Sequence, residues 1–348
     1  MAIDQRKLQA LLSRAVADIG ANFHAALVVT GDKLGLFRAL HELGPTTSGD
    51  LAKHTGTHER YVREWLSAMA AGGYITYEGA SQAFSLSEEQ VVALFDADLP
   101  GAFLLAQATV KSEARITEIF RSGKGMGWHE HDPALFEGTE RFFRPGYAVN
   151  LVPTWIPALD GVQAKLEQGG LVADIGCGHG SSTMLMAKAF PASRFVGFDY
   201  HRQSIERARQ AAKQEGLDDR VTFEVASATD YPGRGYDLVA FFDSLHDMGD
   251  PVGVGHHVRR SLDATGAWML VEPFAHDRLE ENLNPVGRMY YAASTMLCTP
   301  NSLSQDVGAA LGAQAGEAGL RRVATEAGFT RFRRAAETPF NLVFEARA

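Results

Sequence analysis

Leu8, Leu11, Leu12, Ala15, Val16, Ile19 and Phe23 recur at helical spacing and predict a first helix with one wide apolar stripe. A helix this apolar needs a partner to cover it. Residues 25–43 continue mostly helical until Gly44-Pro45 stops the run. Two short helices follow, over 50–54 and 59–71, separated by Thr55-Gly-Thr57, where Thr57 is placed to cap the second. Gly72-Gly73 closes that helix, and residues 74–77 and 83–86 read as a hairpin. Residues 91–121 are again helical and partly apolar, until Ser122-Gly-Lys-Gly-Met-Gly127 breaks the period.

From residue 171 the pattern changes. The apolar run 171–175 has the shape of a buried parallel strand, and it leads through Gly176, Gly178 and Gly180 into helical spacing over 181–190. Strand-like runs at 194–198, 221–225, 236–242 and 267–271 then alternate with helical ones at 203–215 and 251–261. A helix at 320–327 and two strand-like runs, 330–335 and 341–346, end the chain with no helix between the last two. Alternation of this kind predicts an α/β, doubly wound parallel sheet. The expected divisions are a mainly helical, winged-helix-like domain over 1–95, a helical connector and substrate lid over 96–165, and a cofactor-binding domain over 166–348.

Composition narrows the function classes. With 348 residues, 45% of them hydrophobic and 22% charged, the chain is long enough for two soluble domains. Its formal charge of −9 argues against a polyanionic partner. Cys177 and Cys298 are too few for a disulfide framework, no secretory segment opens the chain and no apolar run reaches membrane length, so a cytoplasmic protein is expected. Two helices at a tight turn followed by a hairpin raise the question of DNA binding. Residues 1–95 hold eight Lys and Arg against ten Asp and Glu, and the would-be recognition helix mixes Glu59 and Glu64 with Arg60 and Arg63. Without a basic footprint, the module reads as a dimerisation platform.

Glycines at 176, 178 and 180 let the backbone turn sharply and admit a ligand where a Cβ would stand, and the next helix offers free N–H groups. Asp174 selects the ligand. A carboxylate pointing into this turn would repel a pyrophosphate and attract an ammonium or sulfonium, and Ser181 stands where the NAD fingerprint has its third glycine. Asp199, 25 residues after Asp174 at the end of the next strand, is placed to take up ribose hydroxyls. Past the fourth strand, which ends at Phe242, His246 is the group that accepts a proton near neutral pH, and Glu272 after the fifth strand can orient an imidazole. His129, Glu130, His131 and Asp132 lack metal-ligand spacing and read as a loop, so no metal is expected. Cys177 is a small residue tolerated by the turn, and no role is given to His179. Phe142, Phe143, Tyr147 and Trp155 read mostly as packing, with Tyr147 as a candidate for the acceptor pocket beside Tyr290 and Met296.

The run Asp174-x-Gly176-x-Gly178-x-Gly180 resembles the first motif of class I S-adenosylmethionine-dependent methyltransferases. Leu245-His-Asp-Met-Gly-Asp250 is similar to the Leu-His-Asp-Trp-x-Asp segment of plant-type small-molecule O-methyltransferases, which open with a winged-helix dimerisation domain. The resemblance implies a Rossmann-like, seven-stranded sheet, S-adenosylmethionine as cofactor, and a homodimer. It implies His246 as general base and Glu272 as its orienting acid. Asp174, Gly176, Gly178, Gly180, Asp199, Ala228, Thr229 and Phe242 become the cofactor contacts. The family's second acid, shortly before the last helix, is Gln314 here. The function expected is methyl transfer to a hydroxyl or thiol of a small acceptor, the acceptor atom itself staying open. The alternatives are a cofactor-responsive DNA-binding regulator and, disfavoured by Asp174 and Ser181, an NAD oxidoreductase.

Overall fold

The structure, a computed structural model, describes residues 3–348. The chain folds as two compact units, one made of residues up to Ala108 with Glu137–Pro145, the other of Thr109–Phe136 with Gly146–Ala348. Among the described residues no single helix is long and apolar enough to cross a membrane.

The first unit opens with α1 (Gln5–Lys33), followed by α2 (Leu36–Leu43), α3 (Ser48–Thr55) and α4 (Glu59–Ala71). A hairpin of β1 (Thr76–Glu78) and β2 (Ala83–Ser85) comes next, then α5 (Glu88–Val91) and α6 (Leu99–Val110). The expected separation of the first helix from residues 25–43 falls later than the periodicity placed it. α1 runs unbroken to Lys33, and the turn comes at Leu34 and Gly35, where φ is 68°. Thr57 does not cap α4. The His58 imidazole accepts from the Arg60 N–H instead, and Thr57 shares a hydrogen bond with the Thr55 hydroxyl. Gly31 lets α1 lie against α4, since a Cβ there would come within 2.4 Å of the Trp65 ring. Trp65 donates its indole N–H to the Leu27 carbonyl. Leu40, Leu51, Leu66 and Met69 form the centre of this unit's core.

The second unit begins with α7 (Glu113–Ser122); α8 (Ala134–Asn150), whose residues 137–145 count with the first unit, and α9 (Val162–Gln168) come next. Its sheet contains β3 (Leu171–Ile175), β4 (Arg194–Asp199), β5 (Val221–Val225), β6 (Tyr236–Phe242), β7 (Leu262–Pro273), β8 (Arg331–Glu337) and β9 (Asn341–Arg347). Helices α10 (Ser181–Ala189), α11 (Arg202–Gln214), α12 (Pro251–Ser261), α13 (Pro285–Met296), α14 (Cys298–Leu303) and α15 (Gly316–Glu326) intervene. The strand order is β5-β4-β3-β6-β7-β9-β8, with β9 antiparallel to both of its neighbours. This is the seven-stranded, doubly wound sheet that the alternation and the terminal hairpin predict. The order reverses between β3 and β6, so the carboxyl ends of β3, β4 and β6 open on the crevice where such sheets bind ligands. β7 is longer than its apolar run and takes Glu272 into the strand.

Candidate active site

The loop after β3 is built as a ligand turn. Gly176, Gly178 and Gly180 all have positive φ (73°, 53° and 80°), which side-chain-bearing residues rarely adopt. A Cβ at Gly180 would lie 2.4 Å from the Phe223 ring, so glycine there also allows the loop to pack on β5. A Cβ at Gly178 would meet nothing within 4 Å, which leaves that point of the loop open. Asp174 is fully buried beneath the turn, and its Oδ2 accepts from the Ser182 and Thr183 hydroxyls at 2.6 Å each. Its other oxygen is buried with no hydrogen-bond partner among the described residues. Burial pushes the Asp174 carboxyl up to about 6, against the two hydroxyls that hold it down.

Asp199, at the end of β4, is drawn to the same turn. Its Oδ2 accepts the Gly178 N–H at 2.9 Å and its Oδ1 the His201 N–H at 2.8 Å. Burial raises its pKa, opposed by those two backbone donors. Each oxygen keeps a lone pair for a further donor. Ala228 and Thr229 lie in the loop after β5, whose Ala226 N–H donates to the Asp199 carbonyl, so they flank the same edge of the sheet.

His246 sits in a single helical turn, Leu245–Asp247, just past β6. The imidazole Nδ1 is 2.6 Å from Glu272 Oε2, and both side chains are almost fully buried. A carboxylate partner makes Nδ1 the donor, which leaves Nε2 as the acceptor in the neutral ring. Glu272 Oε1 also accepts the Leu245 N–H at 3.0 Å, so one carboxylate fixes both the ring and the backbone of its turn. Burial opposes a charged imidazole, but Glu272 and the neighbouring Cys298 sulfur outweigh it and hold the His246 pKa well above the ordinary value. No hydrogen bond joins Gln314 to His246 among the described residues. The Gln314 amide donates to the Phe274 and Ala313 carbonyls, and its oxygen is buried with no hydrogen-bond partner among the described residues. The acid beside the base is Asp247, buried, pushed up to about 6, and bound by the Trp128 indole N–H at 2.6 Å.

Sequence reasoning missed Asp243. This residue holds φ at 50° at the end of β6, and its carboxylate accepts from the Tyr147 hydroxyl at 2.7 Å and the Asn341 amide at 2.9 Å. Burial pushes Asp243 up to about 8, opposed by the Tyr147 and Asn341 donors. The same rule that singled out His246, a polar residue just past a strand end, would have found it had burial been foreseen. Tyr147 stands 5.3 Å from the Phe242 ring, centroid to centroid. Tyr290 donates to the Phe340 carbonyl, and its own pKa is raised by burial and by Asp243. Phe242, Tyr147 and Tyr290 are thus brought together around Asp243. Met296 packs elsewhere, with Ile116, Ile119 and Met126.

Residues 166–328 match the family described as a methyltransferase domain. The second unit holds a methyltransferase domain. Residues 23–95 match a second family, the Rv2258c-like winged HTH domain. Among curated relatives is 27-O-demethylrifamycin SV methyltransferase of Amycolatopsis mediterranei, 34% identical over 131 residues that make up 35% of this chain and 48% of that one. The chain thus spans about half the length of that relative. Among solved structures, the mitomycin 7-O-methyltransferase MmcR superposes with a TM-score of 0.69 at 21% identity, covering 99% of this chain and 100% of that one. Human N-acetylserotonin methyltransferase in complex with S-adenosylmethionine superposes with a TM-score of 0.72 at 16% identity, covering 97% and 98%. At such identities these structures establish the fold: a methyltransferase sheet preceded by a winged helix.

S-adenosylmethionine is the cofactor that the methyltransferase domain implies, and the residues fit it. The unpaired buried oxygen of Asp174 suits the cationic methionine end, and the unobstructed face of Gly178 leaves room for a ligand. The spare lone pairs of Asp199 suit vicinal hydroxyls. Among the described residues no group of three His, Cys, Asp or Glu side chains is placed to hold a metal ion.

Proposed function

We propose that this chain methylates a hydroxyl group, or a thiol, of a small-molecule acceptor, using S-adenosylmethionine as donor and His246 as general base. The observation that carries the reading is the buried His246–Glu272 pair just past β6, on the same side of the sheet as the Asp174 and Asp199 turn. The cofactor supplies an activated methyl group when bound. Asp174 and the three glycines hold its methionine end, Asp199 its ribose, and Ala228, Thr229 and Phe242 flank it. Glu272 keeps the imidazole oriented with Nε2 free to take the acceptor's proton. Tyr147 and Tyr290, beside Asp243, contribute to the acceptor pocket, and Met296, packed with Ile116, Ile119 and Met126, is left out of it. The names of the rifamycin and mitomycin enzymes place their own methyl transfers at oxygen, which supports a hydroxyl here. The test is a panel of phenols, thiols and amines incubated with methyl-labelled cofactor. Label is expected on phenols first, and label on amines alone would overturn the acceptor assignment.

The regulator reading is disfavoured by charge. On α4, Arg60 pairs with Glu64 and Arg63 with Glu59, so the helix that would enter a groove has its arginines matched internally. Two buried free cysteines and the absence of a membrane-length helix among the described residues agree with a cytoplasmic setting.

Assembly follows from α1. Leu11, Leu12, Val16, Ile19 and Phe23 are between 51% and 71% exposed, a contiguous apolar stripe of the kind that a second copy of the same chain covers. We read the protein as an obligate homodimer through this helix. Deleting residues 1–24 is expected to give monomers or aggregates by light scattering, and a soluble, fully active monomer would contradict the dimer.

A further inference from the structure

Trp128 heads the segment Trp128-His-Glu-His-Asp132, which neither the cofactor turn nor the base accounts for. Its indole N–H donates to Asp247 Oδ2 at 2.6 Å. Its backbone N–H donates to the Asn301 side-chain oxygen at 3.2 Å, and the Asn301 amide donates in turn to the Asp247 carbonyl at 3.0 Å. Trp128 and Asp247 are therefore joined twice, once directly and once through Asn301, in a closed ring of hydrogen bonds. The approach to this ring is tight. A Cβ at Gly125 would lie 2.0 Å from the Ser304 nitrogen, and the Met126 N–H donates to the Pro300 carbonyl. The irregular glycine run 122–127 thus lets the backbone lie directly against the end of α14. Further along, Phe136 stacks on His201 at 4.1 Å and 11°, and His201 is the residue whose N–H holds Asp199.

We propose that Trp128 is a positioning residue for the base: through Asp247 and Asn301 it fixes the turn that carries His246, and through the segment ending at Phe136 it ties that turn to the Asp199 loop. Asp247 follows His246 directly, and the two Asp247 oxygens belong to the one charged group that the indole touches. An N–H donated to the carboxylate favours its ionised form, and an ionised Asp247 beside the ring favours the imidazolium. The other groups facing this pair are Glu272, Cys298 and Asp243 on the imidazole, and Glu272, Asp199 and Tyr200 on Asp247. None of these touches the indole N–H, so their contributions stay in place when it is removed.

The inference rests on the general-base reading but has its own test. Trp128→Phe keeps an aromatic ring toward Phe136 and removes the N–H together with the rest of the five-membered ring. In the full-length protein, the His246 imidazole is titrated by NMR, with the His246→Ala spectrum identifying its signal. A downward shift of at least half a pH unit in Trp128→Phe is expected, and an unchanged titration overturns the proposal. This readout needs no acceptor, so it stands apart from a failure of the methyl-transfer reading. On whichever acceptor the labelled-methyl panel identifies, kcat is expected to fall about tenfold or more with KM within about threefold. A rise in KM alone would make Trp128 an acceptor contact instead. Asp247→Asn keeps an oxygen for the indole and should retain most of the rate. Asp247→Ala should match Trp128→Phe, and the double variant should be no worse than either. Additive losses would mean that the two residues act independently and would overturn the proposal.

Discussion

His246→Ala is expected to slow methyl transfer by about 10²–10⁴-fold, the usual worth of a positioned general base, while S-adenosylmethionine binds almost unchanged. The imidazole is the one group at the site whose acceptor nitrogen is left over once its carboxylate partner is satisfied, because Glu272 takes Nδ1 and the Leu245 N–H together. A phenol shows why it is needed. With an unperturbed pKa near 10 it is barely ionised at pH 7, so the base must take the proton as the methyl arrives. A thiol, with a reference pKa near 8.5, needs that help less. The deficit of His246→Ala should therefore be larger on a phenol than on a thiol and should shrink as pH rises toward the acceptor's own pKa. The wild-type profile carries a second signature. Glu272 and Cys298 hold the ring's pKa above that of an ordinary histidine, and only the neutral ring can accept a proton, so the acid limb of the wild-type rate should lie above pH 6.5. Equal rates for variant and wild type on every acceptor between pH 6 and 9 would make His246 structural and leave proximity to drive the transfer.

What the sequence made legible is local, and what it hid depends on residues far apart in the chain. Strands β3, β5 and β6 and helix α12 fall on the residues their periodicity predicts, because each is bounded by a breaker or a change of period that belongs to the segment itself. The end of α1 was misplaced because nothing between residues 24 and 33 interrupts a helical pattern, and the turn waits for Gly35. The cap of α4 went to His58 over Thr57 because both offer an acceptor and only the backbone path decides which meets the Arg60 N–H. Asp174, Asp199 and Glu272 could be picked out from their places at strand ends. Asp243 could not, since it is burial that raises its pKa, and the donors that oppose the rise, Tyr147 and Asn341, lie 96 and 98 positions away. The family resemblance that pointed to Gln314 as a second acid's position gave no hint that Asp247, next to the base itself, would hold an indole from residue 128.

Asp199→Ala is expected to weaken S-adenosylmethionine binding by roughly 1.5–3 kcal/mol for each charge-assisted hydrogen bond lost, about ten- to a hundredfold in affinity. The carboxylate is held in place before any ligand arrives, by the Gly178 and His201 N–H groups on its two oxygens. Little ordering is left for the cofactor to induce, so the hydroxyl bonds should register almost fully in the dissociation constant. The Gly178 bond also makes Asp199 a support of the glycine turn, and Asp199→Asn separates the two roles. Asparagine keeps one acceptor oxygen, so it should hold Gly178 but bind the ribose more weakly than the native acid. A graded order of affinity, native above Asn above Ala, is the expected calorimetric result. Burial raises the Asp199 pKa, and it is the ionised form that accepts hydrogen bonds from both hydroxyls, so native affinity should start to fall on acidification at a higher pH than for an ordinary carboxylate. Asp199→Ala should lose that pH dependence along with the affinity. Unchanged affinity in the alanine variant, or tighter binding of NAD than of S-adenosylmethionine by the native protein, would remove Asp199 from the cofactor site.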